Sequence, residues 1–264
     1  MYQFAYHNPG DLNQAKELLS AEDSKPIAGG MTLIPTLKQR LAMYDSLVDL
    51  SSIEDLQGIT QSNGSIRIGA MTTHSDVHNS ELVKTKIPAL SYLAGSIGDV
   101  QVRNRGTLGG SIANADPAAD YPAAVVGLGA TIHTTERDIS ADDFFTAMFE
   151  TALADNEIIT AVSFPVPEKA GYAKFPNPAS RYAIVGVMVV KTQAGTRVAV
   201  TGAAGSAFRS AEMEQALDSA FTADAVRNIA VSSAEFNSDM HASADYRGHL
   251  VSGMAARAVD AAGA

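Results

Sequence analysis

The 264-residue sequence predicts an α+β protein, with two α/β subdomains over 1–57 and 58–168 and a small α+β domain over 169–264 made of an antiparallel sheet and helices. Three observations predict it. Near the N-terminus a strand pattern runs through a glycine pair into a helix pattern and on to a second apolar run, the order of a compact α/β unit. A turn at Asn63-Gly64 opens a second series of strands and alanine-rich helices. Beyond Pro165-Val166-Pro167, which reads as a linker, strands come first and helices after.

In order, Asp11 caps a helix that ends near Leu19, with Gln14 three residues on. Pro26-Ile27-Ala28 is a short strand entering Gly29-Gly30, Thr32 to Arg40 is helical, and Leu47-Val48-Asp49-Leu50 is a second buried strand. This unit is too short for the sequence alone to fix a parallel crossover. Ser65 to Ala70 alternates as a strand should, and Thr73 with Asp76 has the spacing of a capping box. Pro88 to Gly95 and Pro122 to Leu128 favour helices, while Ala130 to Thr134 and Glu157 to Phe164 favour strands. Tyr182 to Lys191 and Arg197 to Gly202 fit antiparallel strands joined through Gln193-Ala194-Gly195, and three helical patterns fill 210–262.

Composition narrows the function. Hydrophobic residues make up 46% of the chain and the formal charge is −10, which argues against a nucleic-acid or anionic-membrane surface, since both need clustered Lys and Arg. There is no cysteine, so this chain offers no disulfide, no thiolate zinc site and no thiolate-held iron–sulfur cluster. Redox metals, if involved, belong to partners. No leader pattern and no long apolar run is visible, and a cytoplasmic location is the expectation.

The chemistry concentrates in two glycine pairs, Ala28-Gly29-Gly30-Met31-Thr32-Leu33-Ile34-Pro35 and Thr107-Leu108-Gly109-Gly110-Ser111-Ile112-Ala113-Asn114-Ala115-Asp116-Pro117. Each is followed by a hydroxyl residue and a helix-forming run, which aims backbone N–H groups at an anion from a surface without Cβ atoms. Taken singly, Gly29-Gly30 also fits a simple tight turn. The first loop has no cation before Lys38, so backbone donors and the Thr32 hydroxyl would meet phosphate. Neither pair matches GxGxxG or GxxxxGK[ST]. Asn114, Asp116 and Asp120 suit sugar or ribityl hydroxyls, and Asp116-Pro117 with Asp120 equally suit the start and cap of the helix at Tyr121. Arg103 and Arg105 stand directly before the second loop, close to phosphate or paired with Asp99. His74 and His78 have helical spacing but lack further metal donors. Tyr182 can stack on a planar cofactor or pack against a core. No GxSxG elbow or HExxH is present.

These residues together resemble the FAD-binding medium subunit of the molybdenum hydroxylases, the family of carbon monoxide dehydrogenase and xanthine dehydrogenase. Besides the two glycine segments, the resemblance rests on Leu47-Val48-Asp49-Leu50, Ile68-Gly69-Ala70-Met71-Thr72-Thr73, Val102-Arg103-Asn104-Arg105-Gly106, Phe164-Pro165-Val166-Pro167 and Ser243-Ala244-Asp245-Tyr246-Arg247, and it covers nearly the whole chain. It implies a FAD-binding region of the vanillyl-alcohol-oxidase or PCMH type, in two subdomains, then the small C-terminal domain of these flavoproteins. It implies that Ala28, Gly29, Gly30, Met31, Thr32, Leu33 and Ile34, with Thr107, Gly109, Gly110 and Ser111, wrap the pyrophosphate, and that Asn114, Asp116 and Asp120 lie near the sugar and ribityl portions. Ile159 is then near the adenine or flavin body, Lys174 near the isoalloxazine edge and Tyr182 against a flavin face.

Two departures stand out: Ser111 where the family commonly has Asn, and Arg181 where it has Asp before the flavin-facing aromatic. A cation beside the isoalloxazine raises its potential if Arg181 points inward, whereas an outward Arg on a strand does not. The resemblance further implies an oxidoreductase subunit with FAD in this chain and molybdopterin and 2Fe-2S clusters in partner subunits. Those partners are a large molybdopterin-binding subunit and a small iron–sulfur subunit, assembled as a dimer of heterotrimers. Electrons from the clusters pass through FAD to an external acceptor, and substrate choice lies in the large subunit. The alternatives are a self-sufficient flavin oxidase or reductase, which needs its own acid or base over the flavin, and a scaffold that has lost its cofactor.

Overall fold

The computed structural model describes residues 1–263. The first unit opens with β1 (Ala5–His7), α1 (Leu12–Leu19), β2 (Ser24–Ile27), α2 (Leu33–Lys38) and β3 (Ser46–Asp49). Asp11 caps α1 by accepting from the Gln14 amide at 2.9 Å. β3 runs parallel to both β1 and β2, in the order β1-β3-β2, which supplies the crossovers that sequence left open. Leu47 and Val48 are buried because this middle strand is covered on both faces.

The second unit begins with β4 (Ile59–Ser62) and β5 (Ser65–Gly69), joined at Asn63 and Gly64. Both turn residues have positive φ, 49° and 76°, the backbone that a two-residue hairpin requires. Six helices follow, α3 (His74–Asn79), α4 (Glu81–Lys86), α5 (Pro88–Ser96), α6 (Val100–Arg103), α7 (Leu108–Asn114) and α8 (Tyr121–Gly127). The chain then makes β6 (Thr131–Thr134), β7 (Asp138–Ser140), α9 (Ala141–Phe144), the small hairpin β8 (Phe145–Ala147) and β9 (Glu150–Thr151), and β10 (Ile159–Pro165). Thr73 and Asp76 close the expected capping box on α3. The sheet order is β4-β5-β10-β6-β7, antiparallel throughout, so β10 returns from far along the chain to sit at its centre.

The third unit is β11 (Lys169–Pro176), β12 (Ala183–Thr192), β13 (Gly195–Thr201), β14 (Phe208–Arg209), α10 (Ala211–Ser219), α11 (Ala223–Arg227) and α12 (Ala244–Gly263). The four strands form one antiparallel sheet in chain order. β11 is a strand that sequence reasoning missed, because Lys, Ala, Gly and Pro are poor strand formers and carry little alternation. Its Gly171 is demanded by packing: a Cβ there would run into the backbone of Ala258 and Ala262 on α12. On β12, Val185, Val187 and Val189 face the core shared with α12, whereas Met188 and Val190 join the core of the second unit. The segment expected to be a linker is therefore short, since Pro165 still belongs to β10, and the units on either side of it share one apolar core. No described helix is long and apolar enough to cross a membrane.

Candidate functional site

The two glycine loops lie against each other. Gly29 packs on the Arg105-Gly106 backbone, so that a Cβ on Gly29 would overlap Arg105 O and come within 2.8 Å of Gly106 Cα. Gly110 in turn sits over Ala28, whose Cβ would be 3.3 Å from a Cβ added there. Gly109 is bare because Ala70 at the end of β5 occupies the space, and Gly109 N donates to Ala70 O at 2.8 Å. Gly30 has φ +72°, the left-handed region that an L side chain resists. The glycines thus first serve loop-on-loop packing, and the exposed backbone is its consequence.

The two loops differ in what they still offer an anion. Sequence reasoning expected free amides from both. At the second loop they are taken: Leu108 N donates to Thr72 O at 3.0 Å, Gly109 N to Ala70 O, Gly110 N to the Thr107 hydroxyl at 3.1 Å and Ser111 N to Thr107 O at 3.0 Å. That correction follows from a tie between α7 and β5, which are far apart in sequence. At the first loop, no acceptor among the described residues reaches the amides of Gly30, Met31, Thr32 and Leu33, and Thr32 caps α2 without a side-chain bond. Four unmet donors at one turn fit a phosphate group. The Leu33 and Ile34 side chains pack beside Ile27 and Leu37, and the Ile34 amide is spent on Gly30 O at 3.0 Å, so of this pair only the Leu33 amide is open.

One cleft borders this contact, and a second opens toward the third unit. The first, of about 550 Å³, is lined by Ala28, Gly29 and Thr107 together with Thr73, Asp76 and Arg105. The second, of about 420 Å³, lies between Asp116, the Met148-Phe149 tip of the β8–β9 hairpin, Tyr182 and the third unit near Asn177 and His241. Tyr182 joins the second cleft to the first loop, its hydroxyl meeting the Thr32 side chain. Burial and the nearby Asp116 carboxylate push that hydroxyl up, with the Thr32 bond working the other way. Burial likewise raises Asp116, which accepts from Ala118 N at 2.9 Å.

Asp120 and Lys174 are buried and bound to each other at 2.9 Å. Asp120 makes no helix-capping bond; its carboxylate accepts from Tyr172 Oη and Lys174 Nζ instead. Burial nonetheless raises the Asp120 carboxyl, outweighing the pull of the lysine. Ser111 and Asn114 are half-buried on α7, while Ile159 is buried at the start of β10 and lines neither cleft. Arg181 is not on a strand: it occupies a loop corner at φ +63° with its guanidinium turned to Gly98 O at 3.5 Å.

Arg103 is likewise withdrawn from any ligand, donating to Ile97 O and Gly98 O, while Asp99 caps α6 through Val102 N. Arg105 does line the first cleft. The hairpin tip was missed because nothing local in Met148-Phe149 announces a left-handed Phe149 at φ +58°.

His74 supports the second loop from below. It is buried against Tyr121, with ring centroids 5.3 Å apart, and a Cβ on Gly106 would come within 2.6 Å of its Nε2. His78 turns instead to Ser91 O, so the two histidines do not converge. Burial, with Arg103 adding repulsion, lowers His74 from 6.5 to about 4. The unfolded chain therefore takes up this proton first as pH falls. The His74 contribution to stability is present above its unfolded pKa of 6.5 and is expected to fall by about 3 kcal/mol on going to pH 4, a loss that His74→Gln should remove from denaturation curves taken across that range.

The comparisons with known proteins agree with one another. The family model described as "FAD binding domain in molybdopterin dehydrogenase" matches residues 2–167. The chain is 35% identical to the nicotine 6-hydroxylase medium subunit of Paenarthrobacter nicotinovorans, over 98% of this chain and 97% of that one. It is 33% identical to the carbon monoxide dehydrogenase medium chain of Hydrogenophaga pseudoflava, again over 98% and 97%. The solved structure of reconstituted CO dehydrogenase from Oligotropha carboxidovorans superposes with a TM-score of 0.93 at 33% identity, covering 99% of this chain and 98% of that one.

Proposed function

This chain belongs to the family of FAD-binding medium subunits of the molybdenum hydroxylases, and from that premise we propose that its two glycine loops hold the FAD through which electrons from an iron–sulfur partner reach an external acceptor. Its fold is the mixed α/β PCMH-type FAD-binding fold of these subunits, and it is the FAD-binding subunit of a molybdopterin-dependent hydroxylase or dehydrogenase. A large molybdenum-binding subunit and a small iron–sulfur subunit complete such a complex, and the molybdopterin and 2Fe-2S clusters reside there.

The observation that carries the site is the set of unmet amides at Gly30, Met31, Thr32 and Leu33, facing a loop contact that the Gly29 and Gly110 backbones make possible. In this reading the first loop and Thr32 bind the pyrophosphate, and the second loop acts as the rigid wall that holds the first in place. Ser111, Asn114 and Asp116 orient the sugar and ribityl hydroxyls, and Tyr182 covers the ring. FAD, when bound, supplies the exchange between one- and two-electron carriers. The chain's own residues bind it, orient it and exclude water from one face. The division at 57/58 and 168/169 belongs to this proposal and is supported by one principal sheet in each part.

The relatives' names carry chemically unrelated substrates, nicotine and carbon monoxide, on chains of the same architecture. That supports leaving substrate choice to the large subunit. A dimer-of-heterotrimers assembly, read by mass photometry of the complex, and a cytoplasmic location, read by cell fractionation, are part of the same proposal.

The test is the cofactor content of the purified complex. We expect flavin absorption bands and FAD on acid release, retained in wild type and largely lost in Gly30→Val, where a branched side chain meets φ +72° and the Ile34 side chain. A complex that carries no flavin in this subunit overturns the reading. The self-sufficient alternative predicts rapid flavin reduction by small alcohols or amines in the isolated chain.

A further inference from the structure

The hairpin of β8 and β9 turns through Met148 and Phe149, with Ala147 paired to Glu150 across the base of the turn. Phe149 takes the second turn place at φ +58°, where a left-handed backbone ordinarily selects Gly or Asn. A bulky residue there is strained, and this one is 58% exposed, so the fold gains no core by keeping it. The strain is held from outside the hairpin. Phe149 N donates to Ala115 O at 3.2 Å, and Ala115, itself left-handed at φ +46°, closes α7 between Asn114 and Asp116. Met148 is also exposed and lies against Gly205 of the third unit, where an added Cβ would stand 3.9 Å from its own. The tip is thus braced between two units, and both of its residues line the second cleft.

The walls of that cleft show what it suits. Met148, Phe149, Tyr182, Pro117 and Ile184 give it apolar and aromatic surface, while its charged side chains are Asp116, Asp239 and the buried Arg247. Two carboxylates against one buried cation disfavour a diphosphate, on a chain whose formal charge is −10. An uncharged planar ring meets no such penalty and gains from an aromatic neighbour. We propose that the second cleft admits the external electron acceptor past the Met148-Phe149 tip, that this acceptor is a quinone and not a nicotinamide dinucleotide, and that Phe149 is the residue that selects it. The proposal rests on the reading that FAD is bound here with its ring against Tyr182, since that ring is what the acceptor must reach. The quinone takes two electrons and two protons from the reduced flavin and leaves as the hydroquinone, which returns the flavin to its oxidised form. Two single-electron deliveries from the iron–sulfur partner, with two protons from water, restore the reduced flavin. Phe149 packs on the quinone ring, and the flexible, polarisable Met148 side chain fits itself beside it.

Binding is read without turnover by titrating the oxidised holo-complex with oxidised decylubiquinone, with the same quinone lacking its tail, and with NAD⁺, following the visible flavin bands. Both quinones are expected to perturb the bands saturably, and NAD⁺ is not. Phe149→Asn, which suits the left-handed corner and removes the ring, should retain FAD and weaken quinone binding about tenfold, and Phe149→Tyr should restore it. Wild-type affinity for the quinones in Phe149→Asn overturns the proposal, as does tighter binding of NAD⁺ than of either quinone. Binding that requires the decyl tail overturns it too, by giving the cleft to a lipid chain. If Phe149→Asn loses FAD, Phe149→Gly takes its place, since it keeps the amide that Ala115 accepts and relieves the strain; loss of FAD in both makes the tip part of cofactor retention, and the proposal falls. A wild-type complex without flavin overturns the FAD reading, whereas bound FAD that no quinone perturbs overturns this proposal alone.

Discussion

Replacing Gly29 by alanine is expected to destabilise the chain by at least about 3 kcal/mol, the upper end of what an overpacked methyl costs, and to abolish FAD retention. The reason is the identity of the obstacle. The added Cβ falls on Arg105 O and beside Gly106 Cα, which are backbone atoms and cannot rotate away as a side-chain tip would. One loop must lift off the other, and the first-loop amides lose their fixed orientation. Gly110→Ala is the contrast, since its Cβ meets a hydroxyl at 2.8 Å and a methyl at 3.3 Å, both at side-chain atoms. Chemical denaturation of the two variants, with flavin content measured alongside, reads the difference. Equal, small losses in both would refute the loop-on-loop account.

Asp120→Ala is expected to cost about 3–5 kcal/mol, the range for removing one partner from a buried ion pair. Lys174 would keep a buried charge with two carbonyls for company, and Tyr172, fully buried beside it, would lose the acceptor of its hydroxyl. Asp120→Asn should recover part of this loss by accepting from Tyr172 without restoring the charge. The loss should centre on the contact between the second and third units, where hydrogen exchange of β11 and β12 would rise before that of β5 and β10. Uniform exchange across all four strands would argue against this placement.

Much of the architecture was legible because its signals are local. Asp11, Thr73 with Asp76 and Asn63-Gly64 each declare a helix start or a turn within four residues, and the structure has all three. The apolar run of β12 announced a buried strand for the same reason. β11 was not legible, because Gly171 is there to let α12 approach, and nothing near it in sequence says so. The loop corner at Arg181 was not among the two orientations the sequence left open, because a positive φ at arginine is held by Lys174 and Asn177, not favoured by arginine itself.

The sequence by itself determined the family, the three-part order of strands and helices, and the two segments where bare backbone meets a hydroxyl and a helix start. Those depend on residue types at fixed spacing. Tertiary structure alone decided which loop keeps free donors and which spends them on Ala70, Thr72 and Thr107, and why Gly29 and Gly109 must lack a side chain. It also decided that Asp120 answers to Tyr172 and Lys174 and not to the helix it precedes. A donor's availability and the room for a Cβ are set by atoms brought from elsewhere in the chain, and a linear pattern does not contain them.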